Sequence, residues 1–380
     1  MSQTIIMTLE SVVKFDSELN QLVSGIEILE AVAPLNYKQQ RQQFFDNGCK
    51  TDPQFSYRPQ SIDAFGLKRQ LFNLPIESLS DPDLVQLYAG VINSYVDKID
   101  QCCSVGTPDF LYDSFRYYGE PSEKDIRNAK FVLHLPSNDD PDDPTLNAAQ
   151  IEAMLSEFAH THEYEYAIKL DDNMIANALV SGTTVKINSS ARVTQTDAEA
   201  LAHHELGVHL ATTLNGRQQP LSILSLGCPA NTKTQEGLAI LSEYMGGCLT
   251  VSRLRNLALR VLAVESMIKE KSFKTTFAML KEDYNAGDEQ AFTVTARVYR
   301  GGGFTKDYVY LRGFHEMLNA YETSSDFTNL LAGKTSLDYL PTINRLIEKG
   351  FLNSPKFITP SFANPNVTDD IQTFIAHAIK

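Results

Sequence analysis

Residues 203–209 read His-His-Glu-Leu-Gly-Val-His. Imidazoles and a carboxylate within one short stretch are the donors that zinc prefers. In the H-E-x-x-H pattern, histidines at i and i+4 share a helix face and bind zinc, while the glutamate acts as general base. Here the spacing is one residue longer. His204 and His209 stand at i and i+5, about 140° apart around a regular helix. His203 offers no better pair, because Gly207 occupies its i+4 position. Two readings follow. In one, the helix is regular, the imidazoles diverge and the segment is structural. In the other, a π-bulge inserts one residue per turn and restores a common face, a distortion enriched at functional sites. Gly207 lies where such a distortion costs least.

A third ligand is available downstream. Thr-Gln-Glu-Gly-Leu-Ala at 234–239 opens a second helical segment. A zinc hydrolase with two histidines on one helix takes a carboxylate from another, and Glu236 is the candidate. Glu243, seven residues on, lies on nearly the same face. It either orients a ligand histidine or is a solvated helix glutamate. Three protein ligands leave a fourth position for water, the pattern of a catalytic site.

These residues need elements to hold them. The periodicity predicts helices over 5–35, from 36, over 64–73, over 81–103 and over 110–116, ended by Gly119-Glu-Pro121. Strands are read at 130–135 (KFVLHL), 164–170, 177–180 and 183–188. A helix is read from Thr145 to about His160. Thr196 and Glu199 form a capping box that starts the histidine helix, and Asn215-Gly216 stops it. Beyond it the chain reads as helical, except for a strand-like 292–299 and the Gly301-Gly302-Gly303 loop. The expected class is α+β, mostly helical, with a small mixed sheet beside the histidine helix. Residues 1–125 are expected to form an N-terminal helical region and 126–380 the catalytic region. The acidic D-D-P-D-D-P loop at 139–144 is read as solvated, not as a calcium loop.

Lys plus Arg number 33 against 47 Asp plus Glu, so the net charge of −14 argues against nucleic acid and anionic membranes as partners. No stretch is long and apolar enough to span a bilayer, and the N-terminal apolar run is too short for a signal peptide. Five cysteines without a C-x-x-C pair fit reduced thiols in the cytoplasm.

The chain resembles a known family. The shared stretches are H-E-L-G-V-H at 204–209, N-G-R-Q-Q-P at 215–220, Q-E-G-L-A at 235–239, R-V-Y-R-G-G at 297–302, F-T-K-D at 304–307 with Tyr310-Leu311, and F-L-Y-D-S-F-R-Y-Y-G at 110–119. They are those of the family named for its QEGLA motif, the flavohaemoglobin expression-modulating proteins, whose animal members include the tubulin tyrosine carboxypeptidase. The likeness runs from about residue 15 to the C-terminus. It implies a variant zincin metallopeptidase with one Zn²⁺ on His204, His209 and Glu236, and Glu205 as general base. The expected substrate is a peptide or protein C-terminus. A carboxypeptidase also needs cations for the substrate's carboxylate. Lys186 and Asn188 on a strand, Arg217 after the histidine helix, and Arg297, Arg300, Lys306 and Tyr310 around the glycine loop are the candidates; Tyr308, Tyr310 and Arg300 are candidates to stabilise the oxyanion. The alternative is a non-catalytic regulator that modulates expression through a metal-stabilised partner site.

Overall fold

The computed structural model describes residues 9–136, 145–172, 174–367 and 370–380; the acidic 139–144 loop lies outside them. The molecule is α+β and mainly helical, as the sequence predicts, with two small sheets where one is expected. Its helices start at caps readable in the sequence. Asp81 accepts from the backbone N–H groups of Asp83 and Leu84, with Pro82 in the first turn, and opens Pro82–Ser104. Leu84, Leu87, Tyr88, Val91 and Tyr95 then recur at three- and four-residue intervals and are buried.

The strands Thr145–Asn147 (β1), Ala167–Asp171 (β2), Ala178–Ser181 (β3), Thr184–Asn188 (β4) and Arg192–Thr194 (β5) form the sheets. β4 is central in the order β2-β4-β3, parallel to β2 and antiparallel to β3, and β1 pairs with β5. One face of β4 buries Val185 and Ile187 against Ile151 and Leu155 of the helix Ala148–Thr161 and against Leu206 and Leu210 of the histidine helix.

Several local expectations are corrected. KFVLHL is not a strand: residues 130–133 end the helix Glu123–Leu133. The Ser122–Asp125 capping box starts it, and Ala129, Val132 and Leu133 are buried on one face, so a short alternating run also satisfies helical spacing. Residues 292–299 belong to the helix Asp288–Tyr299. Their β-branched content favours a strand, but Phe292, Val294 and Val298 are buried in the main helical core, and packing overrides propensity. The helix read over 5–35 is Leu9–Val23 followed by a short turn at Ile28–Ala31, with Gly25 at φ +83° between them. Thr145 opens β1, and Asn147 caps the next helix.

Residues on both sides of position 125 share cores. Phe15, Leu87 and Tyr88 pack with Leu221, Ile343 and Leu346; Phe44 packs with the 273–292 aromatics; Phe110 packs with Phe304. The helix Asn231–Met245 is buried from Thr234 through Met245. It crosses Val309–Thr323 with Gly237 against Gly313, where a β-carbon on Gly237 would lie 2.4 Å from the Gly313 carbonyl. Among the described residues no helix is long and apolar enough to cross a membrane.

Candidate metal centre

The histidine helix runs over 195–217 as an α-helical turn Gln195–Leu201, a π-helical segment Ala202–Leu210 and a closing α-helical segment Ala211–Arg217. Its N-cap is Thr194, which accepts from the Asp197 N–H at 3.1 Å, two residues before the predicted cap. Asn215 does not stop it. The Asn215 side chain is buried and bonds the backbone of Leu331, Lys356 and Phe357.

The π register resolves the spacing problem. His204 and His209 face one another with ring centroids 5.0 Å apart. Their Nε2 atoms lie 3.6 and 3.5 Å from the same oxygen, Glu236 Oε2. One ligand atom from each of these three residues falls within 4.8 Å of the others. Tetrahedral zinc at bond lengths of about 2.0–2.2 Å separates its ligands by about 3.3–3.5 Å. The donor set and its spacing therefore fit zinc.

A π segment disturbs the backbone ladder, and its carbonyls find side-chain partners. Thr359 Oγ1 donates to Gly207 O at 2.8 Å, Ser242 Oγ to His203 O at 2.8 Å, and Thr213 Oγ1 and Lys334 Nζ to His209 O at 2.8 and 2.9 Å.

Glu243 is fully buried, not solvated. Its Oε1 lies 2.6 Å from His204 Nδ1, and Arg253 grips both its oxygens at 2.9 and 3.0 Å. This assigns a proton to Nδ1 and makes Nε2 the nitrogen that faces Glu236, from which a metal would displace any proton. Burial opposes the Glu243 charge, but Arg253 and His204 outweigh it and bring the carboxyl down to about 2. Burial likewise opposes a charge on His204, and Glu236, Glu243 and Glu205 overcome it, raising the imidazole to about 9. Glu236 is held well below the carboxylate range: Lys306 and the two histidines outweigh its burial. Lys306 Nζ bonds Glu236 Oε1 at 2.5 Å and the Tyr310 hydroxyl at 2.9 Å.

Glu205 follows His204 on the same helix. Its Oε1 is 3.9 Å from His204 Nε2, and its Oε2 accepts from the Val180 N–H at 3.0 Å, on the free edge of β3. A carboxylate next to the donor cluster is placed to move protons at a substrate lying along that edge.

The predicted substrate residues divide. Lys306 and Tyr310 join the donor cluster. Arg297 is close by but bound to Asp307 through two hydrogen bonds. Arg300 lies beside the same pair, its guanidinium 4.8 Å from the Phe304 ring centroid. Lys186 and Asn188 are on β4, which is the central strand and not an edge. The Asn188 side chain is used locally, donating to Met174 O and accepting from Ser190. Arg217 is exposed, at 3.3 Å from Thr183 Oγ1. Among the described residues, none of these three contacts the His204–His209–Glu236 group. Tyr308 bonds the Tyr118 carbonyl instead. Arg253 and Lys334 were missed because no local spacing marks them; Lys334 reaches the helix from 125 residues downstream.

A protein-family model described as microtubule-associated tyrosine carboxypeptidase matches residues 42–380, a span that includes every residue of this centre. No curated protein matches the chain.

Proposed function

We propose that this chain, which belongs to the microtubule-associated tyrosine carboxypeptidase family, is a zinc-dependent carboxypeptidase that removes residues from the C-terminus of a protein or peptide, in a reducing cytoplasmic setting. The observation that carries the reading is the convergence of two imidazole Nε2 atoms and one carboxylate oxygen at zinc-ligand spacing, with a further carboxylate beside them.

His204, His209 and Glu236 would hold the ion. When bound, zinc supplies a Lewis acid for the scissile carbonyl and lowers the pKa of a water toward about 7. Glu205 takes the proton from the attacking water and passes it to the leaving amine. The Val180 N–H fixes one of its oxygens and leaves the other toward the donor cluster. The Tyr310 hydroxyl accepts from Lys306 and so keeps its own proton to donate to the oxyanion.

Elemental mass spectrometry of the purified chain should find about one zinc, lost in His204→Ala and Glu236→Ala. Glu205→Gln should keep the zinc and lose about 10²–10⁴-fold of C-terminal residue release. A folded wild type that takes up no zinc, or a Glu205→Gln variant with wild-type turnover, would overturn the reading. A Glu205→Gln chain that keeps its full effect in cells would favour a regulator instead.

A further inference from the structure

β2 leaves half of its backbone groups and one of its charges unmatched. Its ladder to β4 runs from the Ala167 N–H on Thr183 O at 2.9 Å to the Ser189 N–H on Asp171 O at 3.2 Å. Ala167, Lys169 and Asp171 therefore turn their backbone groups to β4, and Ile168 and Leu170 turn theirs outward. Among the described residues no second strand pairs with that edge. Sheet edges are commonly blunted by proline or a bulge, and β2 has neither proline nor glycine. Leu170 stands opposite the buried Ile187, yet it is 49% exposed. On the other face Lys169 stands directly opposite Lys186, where like charges repel. Among the described residues neither ammonium has a carboxylate partner.

The β2 strand of a second copy, laid antiparallel, supplies what this edge lacks. Only even-numbered residues point their backbone groups outward, so even must pair with even and the two-fold axis passes through a residue. Centred on Lys169 or on Asp171, the axis sets a charge against its own copy. Centred on Ile168, it sets Asp171 against the partner's Glu165. Centred on Leu170, it sets Lys169 against the partner's Asp171, and does so twice. Leu170 then meets the partner's Leu170 as a hydrogen-bonded pair. The lysine–aspartate pairs fall at the non-hydrogen-bonded positions, where side chains approach more closely. A lysine on an edge repels most incoming strands, but not one that brings a carboxylate opposite it.

We propose that the free edge of β2 is a homodimer interface, at which a second copy adds its own β2 antiparallel about a two-fold axis through Leu170. Two three-stranded sheets become one of six, in the order β3-β4-β2-β2-β4-β3. The inference goes beyond the carboxypeptidase reading and does not need it. The β3 edges, where the Val180 N–H holds Glu205, stay open at the two ends of the joined sheet. Five strand spacings put them roughly 24 Å apart.

Sedimentation equilibrium of the full chain tests the dimer. One strand pair is a small interface, so a dissociation constant of about 1–100 μM is expected. Leu170→Pro removes an outward N–H that the ladder to β4 does not use. It should abolish the dimer while the circular dichroism stays that of the wild type. Lys169→Glu or Asp171→Lys alone sets like charges opposite one another and should weaken the dimer about tenfold or more. The two together exchange the signs and should restore it, which damage to the fold could not do. A dimer that survives Leu170→Pro, or a double variant no tighter than the single ones, would overturn the proposal. So would a wild type still monomeric at about 100 μM, which would leave the edge to a strand from a different protein.

Discussion

Glu243 decides which nitrogen His204 presents. With Nδ1–H held by a fully buried carboxylate, the imidazole has one orientation and turns Nε2 toward Glu236. Glu243→Gln keeps the shape but loses the charge, and it leaves Arg253 without its buried partner. The expected result is a zinc affinity about 10–100-fold weaker, read by chelator competition; an unchanged affinity would mean that Glu243 only balances Arg253. At this scale the sequence was most informative. His204, Glu205, His209, Glu236 and Glu243 lie within two neighbouring helices, so residue type and interval reveal them. Arg253 and Lys334 carry no such signal. A lone arginine or lysine on an amphipathic helix or loop looks the same whether it meets solvent or a buried carboxylate.

The centre depends on two helices behaving unusually. Asn231–Met245 approaches Val309–Thr323 so closely that neither Gly237 nor Gly313 has room for a side chain. Beside this contact Lys306 bonds Glu236 and Tyr310 bonds Lys306. Gly237→Ala should cost about 1–3 kcal/mol of unfolding free energy by overpacking, measured by urea denaturation; a neutral effect would show that the helices can part freely. The histidine helix depends on donors to its displaced carbonyls. Thr359→Val keeps the volume but removes the donor to Gly207 O, so stability should fall by about 1 kcal/mol. Zinc affinity should fall with it; if the affinity holds while stability falls, the π register does not need this bond. The one-residue excess in the histidine spacing leaves a diverging regular helix and a π segment both open, and the structure takes the second, whose wider turn reunites the pair. The strands read at 130–135 and 292–299 failed for the opposite reason: a short run of apolar and β-branched residues is ambiguous until its neighbours are known, and both runs face helices.

At the scale of the molecule, distant segments are tied by buried contacts and ion pairs. Asp83, near the start of Pro82–Ser104, meets Arg345 and Lys349 from the other end of the chain. Hydrogen bonds from Arg345 and then Lys349 bring its carboxyl down to about 2. Its ordinary value is about 3.9, so the native state gains from ionisation above about pH 4 and loses that gain as pH falls toward 2. Both basic partners are substantially exposed, so solvent screens the pair and its contribution is modest. Asp83→Asn should lower the melting temperature at pH 7 and lower it less at pH 3; an equal loss at both would exclude the charge as the cause. The cores that join residues before and after position 125 could not be read from periodicity, which identifies a buried face but not the surface that covers it.

Thr359 and Lys334 arrive 152 and 125 residues after the Gly207 and His209 carbonyls to which they donate. A ribosome therefore delivers both histidines long before it delivers the residues that support their shared face. Until then the helix has reason to keep its ordinary register, with the imidazoles turned apart. The shared face of His204 and His209 is therefore expected to form only when the chain is nearly finished.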